Sequence, residues 1–325
     1  MHGAAGVEYA PMMRLLCAAA CLSIALNASV PAQSRRGADA RNMEIIGHND
    51  LNGGGDGGEG LALHMWPDGR RILYLAHEAP ERCLSIVDVT RPEAPALLNQ
   101  LRSPAPGITR CNSLGLSGNV LAVANQAAKA GGAPAGMWVL DVSNPARVIA
   151  AKSLDDLKLS FFDTSGPESR GVHNLWFVDG QFAHLTTGMR DFEPSNTLDD
   201  QIIGTAPRHA DDGARCKAGG RFGAHNLHPN FPGPLYKRLE NTTVASWFNG
   251  GVRLFRAVES PSGVPDAPPH VEEIGYYIPE APPKNPSGTV QINHAIIDER
   301  GLIYANDRFT GGLYILRYTG NVPLD

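Results

Sequence analysis

The sequence predicts an all-β fold: a β-propeller of four-stranded blades, about five of them recognisable and one incomplete, closed by an N-terminal strand. Three observations carry this expectation. Glycine and proline number 36 and 25 in 325 residues and fall between short apolar runs, which is the composition of many turns joining short strands. A strand, turn, strand phrase recurs along the chain. A copy of the outermost strand of the repeat stands before the first unit, while the last unit has none of its own.

The repeated hairpin runs from Ala62 to Gly69, Cys111 to Gly118, His173 to Gly180 and His294 to Gly301, always with the same spacing to the turn glycine. Each turn leads into a β-type run: Ile72 to Ala76, Val120 to Ala124, Phe182 to Leu185, and Leu302 to Ala305. A third strand follows at Leu84 to Val89 and at Trp138 to Val142. Asp88 and Asp141 there suit polar turns, with Pro92 and Pro145 just beyond. Two further copies begin with glycine pairs, Gly250-Gly251 and Gly311-Gly312. Outer strands are expected at Ala96 to Leu101, Val148 to Ser153 and Val271 to Tyr276. The fourth copy, Met43 to His48, would complete the last blade and so protect its edge. Another unit opens at His225, and the pattern is weakest between Leu185 and Gly220.

The N-terminus reads as an export signal. Met13-Arg14 precede an apolar run from Leu15 to Leu26, and Val30-Pro31-Ala32 offer small residues for cleavage, so residues 1–32 are assigned to a signal peptide. Residues 33–42 then form a flexible linker, 43–320 the propeller and 321–325 a C-terminal tail. The expected location is periplasmic or extracellular. Of the cysteines outside the signal, Cys83, Cys111 and Cys216, at most two can pair with each other. No later stretch is apolar for about 20 residues, which argues against a transmembrane segment. A formal charge of -5 without a Lys/Arg cluster argues against nucleic acid as a partner, since phosphate neutralisation needs a basic patch.

At Leu84-Ser85-Ile86-Val87-Asp88-Val89 with Pro92, and at Trp138-Val139-Leu140-Asp141-Val142 with Pro145, the sequence resembles the LVIVD repeat. The phrase Gly223-Ala224-His225-Asn226-Leu227-His228 is also similar to the C-terminal half of such proteins. The resemblance covers about residues 43–320 and implies an exported bacterial β-propeller of a group mostly without assigned chemistry.

In a propeller the first strand of each blade lines the central channel, so equivalent positions converge on one axis. Those positions hold Cys111, His173, His225 and His294, with Asn112, Asn174, Asn226 and Asn293 beside them and His228 close by. Imidazole and thiolate from several blades are a donor set for copper or zinc. The alternative is that the His-Asn pairs hydrogen-bond the backbone of neighbouring blades. Arg110, Arg170 and Arg221 precede blade starts and, with Asn112, Asn174 and Asn226, are candidates for contacting an anionic ligand. The expected role is a binding or interaction scaffold for a protein or small-molecule ligand. The alternative is a metal-dependent enzyme, oxidase- or hydrolase-like, built on the channel histidines. The glycine-rich run Asn52 to Gly60 lacks the lysine of a phosphate loop and is expected to be a flexible crossing.

Overall fold

The structure, a computed structural model, describes residues 37–325 except 55–56, 80, 178–179, 188–214, 216 and 260–269. The signal segment therefore lies outside the described residues, as do Cys216 and most of the stretch after Leu185. No helix among the described residues is long and apolar enough to cross a membrane.

The fold is all-β, built of antiparallel sheets. β1 (Asp39–Arg41) and β2 (Met43–Asn49) come first. The first sheet is β3 (Gly57–Met65), β4 (Arg71–His77), β5 (Arg82–Asp88) and β6 (Ala96–Arg102), paired in chain order. In the second, β7 (Thr109–Arg110) and β8 (Leu114–Ser117) both pair with β9 (Val120–Ala127). It continues through β10 (Gly136–Asp141) and, after helix α1 (Pro145–Ala150), β11 (Lys158–Asp163). The third pairs β12 (Val172–Phe177) with β13 (Ala183–Thr187). The fourth joins β14 (Thr242–Ser246), β15 (Val252–Val258) and β16 (His270–Ile278) to β1. On the free side of β14, residues 225–228 run alongside: His225 N–H donates to Ser246 O at 2.9 Å and His228 N–H to Val244 O at 2.8 Å. The fifth is β17 (Ile292–Ile297), β18 (Leu302–Asp307), β19 (Leu313–Tyr318) and β2.

The repeat read from the sequence is visible in the backbone. The turn glycines Gly69, Gly118, Gly180 and Gly301 have φ of +84°, +55°, +77° and +78°, the left-handed region that glycine enters without steric cost. Asp88 and Asp141 close their strands as turn formers, each accepting an N–H two residues on, from Thr90 and Ser143, at 2.9 Å. The N-terminal strand takes its expected place beside β19, with Met43 opposite Tyr318 and His48 opposite Tyr314.

Two expectations are corrected. Val148 to Ser153 is not a strand: Asn144 caps α1 by accepting the Arg147 N–H at 3.2 Å, Pro145 presets the first turn and Val148 buries itself, so β11 forms the outer edge instead. Residues 39–41 are not linker. They form β1 on β16, where Tyr276 Oη donates to Asp39 Oδ1 at 3.1 Å and Arg41 Nη2 to Glu273 O at 2.7 Å. The C-terminal residues are docked too, with Val322 and Leu324 against the apolar cluster of the fourth and fifth sheets.

The core lies between sheets, and the period of two along each strand explains why central strands are apolar throughout. In β4, Ile72, Tyr74 and Ala76 face a cluster shared with the second sheet, while Leu73 and Leu75 face one shared with the fifth. In β18, Leu302 and Tyr304 face the first sheet, and Ile303 and Ala305 face the fourth. In β9, Leu121 and Val123 pack toward the first sheet, and Ala122 and Ala124 toward the third. The sheets thus stack in the order fourth, fifth, first, second, third. At about 1.5–3 kcal/mol for each large apolar side chain buried, these two-sided strands are the main source of stability.

Cys83 at the start of β5 is disulfide-bonded to Cys111 ahead of β8, joining the first two sheets across 28 residues of sequence. In the chain-entropy picture a loop of that length contributes about 3–4 kcal/mol. Replacing both cysteines by serine is expected to lower the unfolding free energy by about 2–4 kcal/mol, read from urea melts with an unchanged slope for the mutant under reducing and oxidising conditions.

Candidate functional site

The inner strands meet where β3 departs from regular pairing. Gly57 lies opposite His77 and Leu61 opposite Leu75, so β3 has a bulge at residues 58–60. The bulge is stitched to both neighbouring sheets. Asn293 Nδ2 donates to Gly57 O and Asn306 Nδ2 to Gly58 O, both at 2.9 Å, and Glu59 N–H donates to Asn112 O at 2.5 Å. A Cβ on Gly58 would collide with Asn112 O and one on Gly60 with Leu114 N, so both glycines are demanded by the closeness of the second sheet.

Between these glycines the side chain of Glu59 is buried and faces two imidazoles. His225 Nε2 is 3.3 Å from Glu59 Oε1 and His173 Nε2 is 3.6 Å from it. The other ring nitrogens are occupied. His225 Nδ1 donates to Asn293 O at 2.7 Å. His173 Nδ1 is 3.0 Å from Gln126 Oε1, an oxygen that already accepts Arg110 Nε and Nη2 at 3.0 and 2.7 Å, so the histidine is the donor there. Burial opposes ionisation of Glu59, but the hydrogen bond and charge of His225, the charge of His173 and a hydrogen bond from Asn112 together bring its pKa down to about 2. Burial likewise works against charge on His225, and Glu59 outweighs it, so the imidazole pKa is raised.

His294 behaves differently. Burial pushes its pKa down to about 3, its Nδ1 has no hydrogen-bond partner among the described residues, and it borders a cavity of about 240 Å³ together with Glu59. Asn174, Asn226 and Ser113 add polar groups to this cavity, and Trp176, Phe177, Leu227 and Phe231 add apolar wall. Ser113 Oγ donates to Asn174 Oδ1 at 2.6 Å, and Asn226 Nδ2 to Asn293 O at 3.2 Å. Two more buried acceptors, Asn112 Oδ1 and Asn293 Oδ1, have no partner among the described residues.

The residues expected from the sequence divide accordingly. His173, His225, His294, Asn112, Asn174 and Asn226 come together around Glu59 or its cavity. Cys111 does not act as a thiolate ligand, because its sulfur is bonded to Cys83. His228 is not a ligand either: its Nε2 donates to Lys237 O at 3.0 Å and its Nδ1 accepts the Ile297 N–H at 3.4 Å, so backbone uses both nitrogens. Among the described residues no group of three or more His, Cys, Asp or Glu is arranged to hold a metal ion. The alternative role weighed for the His-Asn pairs, bonding the backbone of neighbouring sheets, is what Asn112, His225 and Asn226 do: Asn112 donates to His173 O, and the other two to Asn293 O. Arg110 and Arg221 lie at the strand-start end of this cluster. Arg170 is exposed and donates through Nε to Ala127 O at 3.2 Å.

Glu59 was not expected, and neither was Glu78, which accepts from Arg110 Nη1 and, at 2.6 Å, from Arg308 Nη2. The signal for Glu59 was a carboxylate set between glycines in a run that also holds Asp56, where an acid between small residues marks close backbone approach.

No known family model matches the chain, and no curated protein matches it. Among solved structures it is similar to a hypothetical selenium-binding protein from Sulfolobus tokodaii at 11% identity and a TM-score of 0.23. The match covers 81% of this chain, which spans 58% of the length of that one.

His294 sets a pH dependence. Folded, it takes a proton only near pH 3, and unfolded near its ordinary 6.5, so the unfolded chain binds more protons between those values and stability falls as pH drops through them. His228, also lowered by burial, acts in the same direction. His225, being raised, contributes stability that is present below 6.5 and lost as pH rises through its folded value. In His294→Gln the loss of stability between about pH 6.5 and 4.5 should become shallower by up to about 1.4 kcal/mol per pH unit, read from urea melts at stepped pH.

Proposed function

We propose that the chain is an exported β-propeller of LVIVD type that binds a small polar molecule in the cavity at its axis. The sheet order supports the propeller reading. Chain order runs first to fifth, stacking runs fourth, fifth, first, second, third, and the N-terminal strand β2 completes the fifth sheet. The Cys83–Cys111 bond accords with an oxidising compartment, and so with export.

The observation that carries the binding role is the composition of the cavity lining: an ionised Glu59 and a neutral, buried His294 whose Nδ1 has no partner among the described residues. Buried polar atoms are ordinarily satisfied, so a set left open at a cavity is a place for hydrogen bonds to a guest. A ligand carrying hydroxyl or amide donors would meet Glu59, and Asn174 and Asn226 would complement its other polar groups. A ring or carbon face would lie against Trp176, Phe177 and Phe231. The metal-enzyme reading keeps one observation in its favour, the two Nε2 atoms turned toward one carboxylate oxygen.

Leu227 lies at the cavity and is partly exposed, so Leu227→Trp is suited to fill it without unfolding the protein. In a thermal-shift screen of small sugars, polyols and amides, compounds that raise the melting temperature of the wild type are expected to lose that effect in Leu227→Trp. Equal shifts in both proteins would contradict the cavity as the site. Tightly held stoichiometric copper or zinc that disappears in His225→Ala would favour the enzyme instead.

A further inference from the structure

Three arginines gather at the strand-start end of the axis, away from the cavity. Arg110 and Arg221 stand just before Asn112 and His225. Arg308 follows β18, whose antiparallel pairing with β17 returns it to the same end, and its N–H donates to Gln291 O at 2.7 Å. Gln291 also accepts the Arg221 N–H through Oε1 at 2.8 Å. One carboxylate, Glu78, serves two of the guanidiniums, those of Arg110 and Arg308.

The rest of the local charge does not balance them. Arg110 is saturated, with its remaining nitrogens on Gln126 Oε1. Arg308 is mostly buried, and among the described residues its guanidinium bonds through Nη2 alone. Arg221 lies over the Phe248 ring at 5.5 Å, and its guanidinium has no carboxylate or hydrogen-bond acceptor among the described residues. Glu59 also attracts Arg308, but its carboxylate is faced at close range by His225 and His173, so it does not balance the three guanidiniums. Burial lowers the pKa of Arg308, and the charges of Arg221 and Arg110 lower it further against the pull of Glu78 and Glu59, as expected for cations held close together.

A partly desolvated surplus of guanidinium, with its forks unfilled, is the complement of an oxyanion, because paired N–H groups match the spacing of carboxylate or phosphate oxygens. We infer that Arg221 and Arg308 bind the oxyanion head, carboxylate or phosphate, of a small ligand, while Glu78 and Arg110 position Arg308. The inference goes beyond the cavity reading, since none of the three arginines lines that cavity. Phe248 holds Arg221 from below through its ring face, which keeps the fork fixed without neutralising it.

Isothermal titration of the protein with succinate and, separately, with inorganic phosphate, against chloride at matched ionic strength, tests this. Saturable binding of at least one oxyanion is expected, and the stronger of the two identifies the head group. Affinity should fall at least tenfold in Arg221→Ala and stay at the wild-type value in Arg102→Ala, an exposed arginine on β6. Arg221 is exposed, so its alanine variant should melt close to the wild-type temperature, which separates lost binding from lost folding. Binding of neither oxyanion beyond the chloride control, or undiminished binding by Arg221→Ala, would overturn the inference whatever the cavity binds.

Discussion

Glu59 holds a negative charge inside the protein because imidazoles from two other parts of the chain come to meet it. His225 reaches it from beside the fourth sheet and His173 from the third, while the carboxylate itself stands on the first. A buried carboxylate without such partners would be costly by several kcal/mol, and removing one partner of a buried pair typically costs about 3–5 kcal/mol. The contact therefore fixes more than one side chain. It requires the bulge in β3, the bulge requires glycine at 58 and 60, and those glycines allow the second sheet to approach until Asn112 O accepts the Glu59 N–H.

The surrounding sheets supply the rigidity that this arrangement needs. Because central strands such as β4, β9 and β18 present alternate residues to two neighbours, the first, second and fifth sheets are held on both faces, and a shift of one would expose apolar side chains on the next. The region where the inner strands meet can then carry buried polar groups that are not all paired with one another. Two chemically different ends result. One is rich in guanidinium around Glu78. The other opens into a cavity where Glu59 and His294 meet amide and aromatic side chains.

Much of this was legible in the sequence, and the failures have physical causes. Turn glycines, apolar runs and the displaced N-terminal strand are local features with one structural solution, so their strands were found. The histidines and asparagines were found because equivalent positions in repeats share an environment. Glu59 was hidden because glycine signals flexibility and close packing by the same letter, and only the position of Asn112 and Leu114 tells which applies. Val148-Ile149 resembles a strand by composition, yet the Asn144-Pro145 cap directs the chain into a helix. The roles of Cys111 and His228 depended on partners distant in sequence, Cys83 and the Ile297 and Lys237 backbone, which no spacing rule identifies.

Glu59 and His225 form a charged pair that organises the strands around them, and the titration of His225 tests this most directly. Followed by NMR on the imidazole resonances, its pKa should lie above the ordinary 6.5 in the wild type. In Glu59→Gln it should fall below 6.5, since burial, the largest influence, and the charge of Arg308 then outweigh the bond to Asn293 O. A wild-type value at or below 6.5, or one that does not move in Glu59→Gln, would contradict the account.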